Sequence, residues 1–284
     1  ISPVVKLRPD NPVIVESWKT KLFVVSVFLL LMFLMINVNY RVDKTIDYIV
    51  GAFATVSFMY LLLKLVLSFF YKPAKGEPRE GRTVSVIMPS YNENADSVIK
   101  AIHSILEQDY PVHEIRFVDD GSSNTEAYEE VTALAEEISA GYSEVAAAGG
   151  VRGYHYATPV SPKIITHRFK ENKGKKQAQA WAFKKAEGDF ILLIDSDGYL
   201  YPNAVRELLK PFNDEKVSGV VGHVSARNLK DNILTRMQDV LYHNAFRVGR
   251  ASQSITNCVL VLSGAISMYK RDVIVNNLDE FLKD

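Results

Sequence analysis

The sequence predicts an α/β domain with a mostly parallel sheet, preceded by a pair of membrane-spanning helices. Three observations carry that prediction. From residue 84 onward, short apolar runs alternate with segments of helical periodicity. Before it, two long apolar runs are separated by only a short polar loop. The composition is that of a folded protein: 48% of the 284 residues are hydrophobic and 23% charged, too ordinary for a disordered chain. A single cysteine, Cys258, excludes a disulfide scaffold and a multi-cysteine zinc site. The 33 basic residues balance 33 acidic ones, so net charge gives no reason to expect nucleic acid as a partner.

The first apolar run, Leu22 to Ile36, holds no charged residue and reaches about 20 residues with its flanks, enough to cross ~30 Å of hydrocarbon. The second runs from Tyr48 to Tyr71, interrupted by Lys64, whose side chain must snorkel or face a polar interior. The charges between them (Arg41, Asp43, Lys44, Asp47) cancel. Lys6, Arg8, Lys19 and Lys21 precede the pair, and Lys72, Lys75, Arg79 and Arg82 follow it. The positive-inside rule then puts both flanks, and the domain, in the cytoplasm and the short loop outside, and the expected location is the plasma membrane. The resulting division is an N-terminal segment 1–20, a hairpin 21–71 with spans of about 21–40 and 47–70, a linker 72–83 marked by Pro73, Gly76, Pro78 and Gly81, and a domain 84–284.

The domain opens with a strand at Val84–Met88. A helix follows over Ala95–Gln108, where Val98, Ile99, Ile102, Ile105 and Leu106 share a face and Pro111 marks the end. Ile115–Val118 is the next strand and Thr125–Ile138 an acidic helix. Ile164–His167 and Lys175–Ala186 repeat the strand–helix pair. Phe190–Ile194 is a strongly apolar strand, Pro202–Pro211 a helix and Val217–Val224 a strand. Ser139–Pro162 reads as an irregular connection. Asn232–Ser252 reads as an amphipathic helix whose apolar side either packs on the core or lies in the membrane interface.

Open α/β sheets bind ligands at the carboxyl ends of their strands. The residues there are Pro89-Ser90-Tyr91-Asn92-Glu93, then Asp119-Asp120-Gly121-Ser122, then Asn172-Lys173-Gly174-Lys175-Lys176, then Asp195-Ser196-Asp197. Asp119-Asp120-Gly121 is either a turn or a ligand-binding pair. Asp195 and Asp197 at i and i+2 either share a hard divalent cation or cap the next helix. The lysines around Gly174 either open a solvated helix or meet a phosphate. Taken together, the set describes a nucleotide–diphosphate site: a ring to stack on a base, a carboxylate for its polar edge, lysines for phosphate and a carboxylate-held metal on the leaving group.

The segments VSVIMPSYNEN, RFVDDGSS, ENKGKKQAQAWAF and ILLIDSDGYLYPNAV resemble the successive motifs of inverting, processive family-two glycosyltransferases with the GT-A (Rossmann-like) fold. YLLLKLVLSFFYKPAKG, LTRMQDVLYHNAF, RASQS and SGAISMYKRDVIVNNLD extend the resemblance to the bacterial class I hyaluronan synthases of the streptococcal type. It covers about residues 48–280 except 139–162. It implies that Tyr91 and Asp120 hold uracil, with Glu93 supporting the loop. Lys175 and Lys176 face the diphosphate, Asp195 and Asp197 form the DxD pair with Mn²⁺ or Mg²⁺, and Ser263 and Gly264 line the acceptor site. The implied partners are UDP-GlcNAc, UDP-GlcA, the growing polysaccharide and the bilayer. Without the resemblance, Ser263-Gly264 reads as a tight turn.

The chain departs from the family pattern in three places. Ala265 stands where proline is usual, and Gly198 where threonine is common. No glycine–acidic–Asp base motif or Gln-x-x-Arg-Trp motif precedes Asp284, nor do further membrane helices. General-base catalysis needs a positioned proton acceptor, so the expectation is a stretch that binds a UDP-sugar without polymerising alone, its base lying beyond Asp284. A chitooligosaccharide synthase using UDP-GlcNAc alone and a catalytically dead membrane scaffold are the competing readings.

Overall fold

The computed structural model describes residues 18–39, 46–148, 162–226, 228 and 231–283. The charges expected on the N-terminal segment before Trp18, and Arg41, Asp43 and Lys44 of the loop, lie outside the described residues, as does 149–161 of the irregular connection. The chain divides into two compact units. One contains residues 74–222 and 262–284, the other 12–73 and 223–261.

The first unit is built on six strands: β1 (Val84–Ser90), β2 (Glu114–Asp119), β3 (Lys163–Arg168), β4 (Phe190–Ile194), β5 (Gly219–Val221) and β6 (Ile266–Lys270), in the order β3-β2-β1-β4-β6-β5. The first four are parallel, while β6 runs antiparallel to β4 and β5 antiparallel to β6. The mostly parallel sheet is therefore as expected, but β6 is an addition. Its partners lie more than 40 residues back in the chain, so no local turn announces it. The expected strand Val217–Val224 is shorter, reduced to β5.

Strand residues alternate between two apolar layers, because successive side chains leave a strand on opposite faces. Val84, Val86 and Met88 of β1 enter one core with Ile115, Phe117, Leu192 and Ile194. Ile87 enters the other with Val118, Ile191 and Leu193. The helix α3 (Ala95–Leu106) covers the first layer with Val98, Ile102 and Ile105; Asn94 starts it by accepting the Ser97 N–H. The helix α5 (Lys175–Lys185) covers the second layer with Ala178, Ala182 and Phe183. The helix α4 (Glu126–Ala148) runs ten residues past the expected Ile138. Its extension holds four alanines and a glutamate, strong helix formers that outweigh the interior Gly141, which disfavours helix by only about 1 kcal/mol. Part of the expected linker is tied to this unit. The Arg82 guanidinium donates to the carbonyls of Leu209 and Phe212, and the Arg79 amide donates to the Asn213 side chain.

The second unit contains α1 (Trp18–Asn39) and α2 (Ile46–Ser68). Among the described residues one helix, α2, has a window long and apolar enough to cross a membrane, Gly51–Ser68. Two spans were expected, and one meets that test. Lys64 packs its ammonium 5.3 Å from the Tyr60 ring centroid, on the side of α2 that meets the backbone around Gly249. The expected amphipathic helix is a composite. It comprises α7 (Ile233–His243), started by a capping box between Asn232 and Thr235, then a π-helical turn over Asn244–Arg250, then α8 (Ala251–Ser254). The π-turn and α8 pack on α2. On the apolar side of α7, Ile233, Leu234, Met237, Val240 and Leu241 are all exposed among the described residues.

Candidate functional site

At the carboxyl ends of β1, β2 and β4 lies a cavity of about 370 Å³. Tyr91 and Glu93 reach it from β1, Asp120 from β2, Lys175 from the start of α5, and Asp195 and Asp197 from β4. Six of the residues singled out in the sequence therefore share one wall-to-wall space. Pro89, Ser90, Asn172 and Ser196 complete the lining.

The backbone explains how these side chains converge. The Asp120 amide donates to the Ser90 carbonyl (2.8 Å), stitching the end of β2 to the end of β1. The next residue, Gly121, has φ +69°, and a Cβ there would sit 2.4 Å from the Glu171 carbonyl carbon. Only glycine lets the β2 turn approach the segment after β3 this closely. That approach brings the Lys173 amide to the Asp120 carboxylate, to which it donates at Oδ1 (2.9 Å). Gly174, at φ +92°, then turns the chain into α5, whose first residue is Lys175.

The lining combines two kinds of group. The Tyr91 ring, 48% exposed, and the Asp120 carboxylate are of one kind. The remaining charged groups interact with one another. The Lys175 ammonium bonds Asp195 Oδ1 at 2.5 Å. Glu93 faces both aspartates: its carboxyl is held above its ordinary range first by burial, then by the charges of Asp197 and Asp195, with Lys175 opposing. The sequence reading gave Glu93 only a supporting part, and its proximity to the acidic pair is visible only in three dimensions. The Gly198 amide donates to the Asp195 carbonyl (2.9 Å) and closes the turn that carries both aspartates. A Cβ at Gly198 would meet that carbonyl at 3.1 Å, so the small residue suits the tight turn.

Lys176 is not brought into the cavity. Its ammonium donates to the Lys283 carbonyl (2.9 Å) and lies over the Phe281 ring, because one step along α5 rotates a side chain by about 100°. Ser263 and Gly264 do not line the cavity either. They immediately precede β6, and Ile266 pairs with Ile194, so they sit at the sheet end from which Asp195 emerges. Ser263 Oγ is buried with no hydrogen-bond partner among the described residues. Asn172, not singled out for a role, lines the cavity and accepts the Gly174 amide through Oδ1 (3.1 Å). Its signal in the sequence is its place in the same lysine-rich segment. Among the described residues, no group of three or more His, Cys, Asp or Glu is gathered to hold a metal ion.

The profile of glycosyl transferase family 2 matches residues 85–146 and 151–277. The chain belongs to that family. A hyaluronan synthase from Streptococcus pyogenes is 43% identical over 261 residues, 92% of this chain and 57% of that protein. An N-acetylglucosaminyltransferase from Rhizobium meliloti is 30% identical over 251 residues, 85% of this chain and 53% of that protein. The chain thus spans a little over half the length of these relatives. A mannosyltransferase from Pyrobaculum calidifontis, solved in complex with GDP-Man and Mn²⁺, superposes with a TM-score of 0.58 at 20% identity, covering 81% of this chain and 56% of that one. That likeness is one of fold, and the fold is GT-A. The family-two match takes in the ends of β1, β2 and β4, which build the cavity.

Proposed function

We propose that this chain is the donor-binding part of a membrane-bound, inverting hyaluronan synthase that draws on UDP-GlcNAc and UDP-GlcA. The observation that carries the reading is that one cavity is lined by an exposed aromatic ring and a carboxylate together with a lysine–aspartate cluster. The 43% identity to the streptococcal enzyme, against 30% for the rhizobial one, supports hyaluronan over a product built from UDP-GlcNAc alone.

In this reading Tyr91 stacks on uracil and Asp120 accepts from its edge. Lys175 exchanges Asp195 for the diphosphate, a short movement for a flexible ammonium. The oxygen-only donor set of Asp195 and Asp197 fits a hard cation, Mn²⁺ or Mg²⁺, with Glu93 adding negative charge behind it. Two carboxylates are too few to enclose such an ion, which suits a cation shared with a diphosphate. When bound, the ion would withdraw charge from the departing UDP. Ser263 and Gly264 would border the acceptor, whose hydroxyl attacks the anomeric carbon from the face opposite UDP. Lys176 has no part at the diphosphate in this account, since its ammonium is engaged elsewhere.

The exposed apolar faces of α2 and α7 fit a bilayer as partner, with α2 spanning it and α7 lying at its interface. The same reading puts the sheet unit on the cytoplasmic side and includes no nucleic acid.

A binding panel on the detergent-purified chain tests the function. UDP, UDP-GlcNAc, UDP-GlcA and GDP-mannose are compared with Mn²⁺ and with EDTA. Metal-dependent binding of both UDP-sugars is expected. Binding of UDP-GlcNAc alone would move the assignment to a chitooligosaccharide-type enzyme. A preference for GDP-mannose would overturn the uracil site.

A further inference from the structure

Arg168 is the last residue of β3, the edge strand, and stands directly opposite Asp119 in the β2–β3 register. Its Nε donates to Asp119 Oδ2 and its Nη2 to the Ser122 carbonyl, both at 2.8 Å. The Asp119 side chain is almost wholly buried, and its second oxygen accepts the Ser122 hydroxyl. The Ser122 Oγ in turn accepts the Asn92 amide at 2.8 Å. Asn92 Oδ1 accepts both the amide and the hydroxyl of Ser123 at 2.9 Å. Asn92 has φ +53°, a left-handed conformation that non-glycine residues rarely adopt, although Asn tolerates it best. It lies between Tyr91 and Glu93, both on the cavity wall.

A surface ion pair would need none of this continuation. Here a planar guanidinium holds two acceptors of one turn at once, and the turn holds the amide of a strained residue on a different strand end. We propose that Arg168 is a positioning residue for the base-holding residues of the cavity. Through Asp119 and Ser122 it fixes the backbone at Asn92, and so sets the Tyr91 ring against the Asp120 carboxylate at the spacing one base requires. The inference rests on the reading of the cavity as a UDP-sugar site. Among the described residues Arg168 bonds none of Lys175, Asp195 and Asp197, so its influence is expected first at Tyr91 and Asp120.

Two probes separate the two kinds of group: UDP, which uses both, and inorganic pyrophosphate, which uses the lysine–aspartate cluster alone. Each is titrated with Mn²⁺ into the full chain in detergent, as wild type, Arg168→Gln and Ser122→Ala, with the unfolding midpoint followed in parallel. Both variants are expected to weaken UDP about tenfold, the equivalent of one well-formed hydrogen bond lost to misalignment, and to leave pyrophosphate within about twofold. Equal losses for the two probes would make Arg168 merely structural and overturn the proposal, as would unchanged UDP binding in both variants. If Arg168→Gln does not fold, Ser122→Ala decides the matter, since it breaks the relay and leaves the ion pair. A wild-type chain that binds pyrophosphate but not UDP would overturn the nucleotide reading itself, a result distinct from any seen only in the variants.

Discussion

Leu192 on β4 has no exposed surface, whereas Leu241 on α7 is 68% exposed. The contrast extends through the two units. In the sheet unit, apolar side chains alternate into two covered layers and the polar strand-end residues are left to build a cavity. In the hairpin unit, Phe23, Phe33, Phe53, Val56 and Leu63 point outward along α1 and α2. Water drives such side chains inward in the sheet unit, and in the membrane reading proposed above a hydrocarbon phase removes that pressure in the other. Charge follows the same division. The sheet unit buries Glu114 and Arg116 as a pair 2.7 Å apart, with Ser85 and the Glu187 amide as further donors, while Lys64 is the lone charge within the apolar window of α2.

The comparison breaks if the same substitution acts alike in both units. Leu192→Ala should destabilise the sheet unit by about 2–5 kcal/mol, read from denaturant or thermal unfolding in detergent. Leu241→Ala should stay within about 0.5 kcal/mol. Equal effects would mean that α7 is covered in solution.

Function is expected to track the sheet unit alone. Asp197→Asn should weaken Mn²⁺-dependent UDP-sugar binding roughly 100-fold by calorimetry, through loss of a charged oxygen ligand, without lowering the unfolding midpoint. An unaltered metal effect would remove Asp197 from the metal site and favour a scaffold role.

A smaller effect concerns pH. Burial works to raise the Glu114 carboxyl, but hydrogen bonds from Arg116, Ser85 and the Glu187 amide prevail, and it is held below its ordinary value of 4.5. A carboxylate more acidic in the folded state contributes stability above pH 4.5, and that contribution is lost as pH falls through the folded-state value. Stability should therefore decline on the acid side, with a flatter decline in Glu114→Gln that starts from a lower plateau. An identical acid limb in the variant would assign the decline to other groups. A small change is also expected at Arg79–Glu215, an ion pair of 3.4 Å between two largely exposed side chains. Arg79→Ala, which also gives up a hydrogen bond to the Asn213 carbonyl, should shift stability by no more than about 1 kcal/mol in low salt.

Much of the site was legible because its residues follow strand ends, where a parallel sheet must gather them. Tyr91, Glu93, Asp120, Lys175, Asp195 and Asp197 all line one cavity, as their positions after apolar strands imply. Lys176 was not separable from Lys175 in sequence. Adjacent lysines look alike until the helix fixes their azimuths, and the second turns to the Lys283 carbonyl. Arg168 ends an ordinary strand and carries no motif of its own. Its link to Asn92 joins segments more than 70 residues apart and exists only because β2 lies between β1 and β3.

What the sequence determined by itself was what local chemistry dictates: the strand–helix alternation, the apolar helices, the residue types that suit a diphosphate and a divalent ion. Hydrophobic period and turn chemistry act over a few residues and can be read there. Tertiary structure decided the rest: the antiparallel β6 beside β4, the outward apolar face of α7, the proximity of Glu93 to two aspartates, and which lysine bonds Asp195. Each of these depends on distances between segments remote in the chain, which only packing sets.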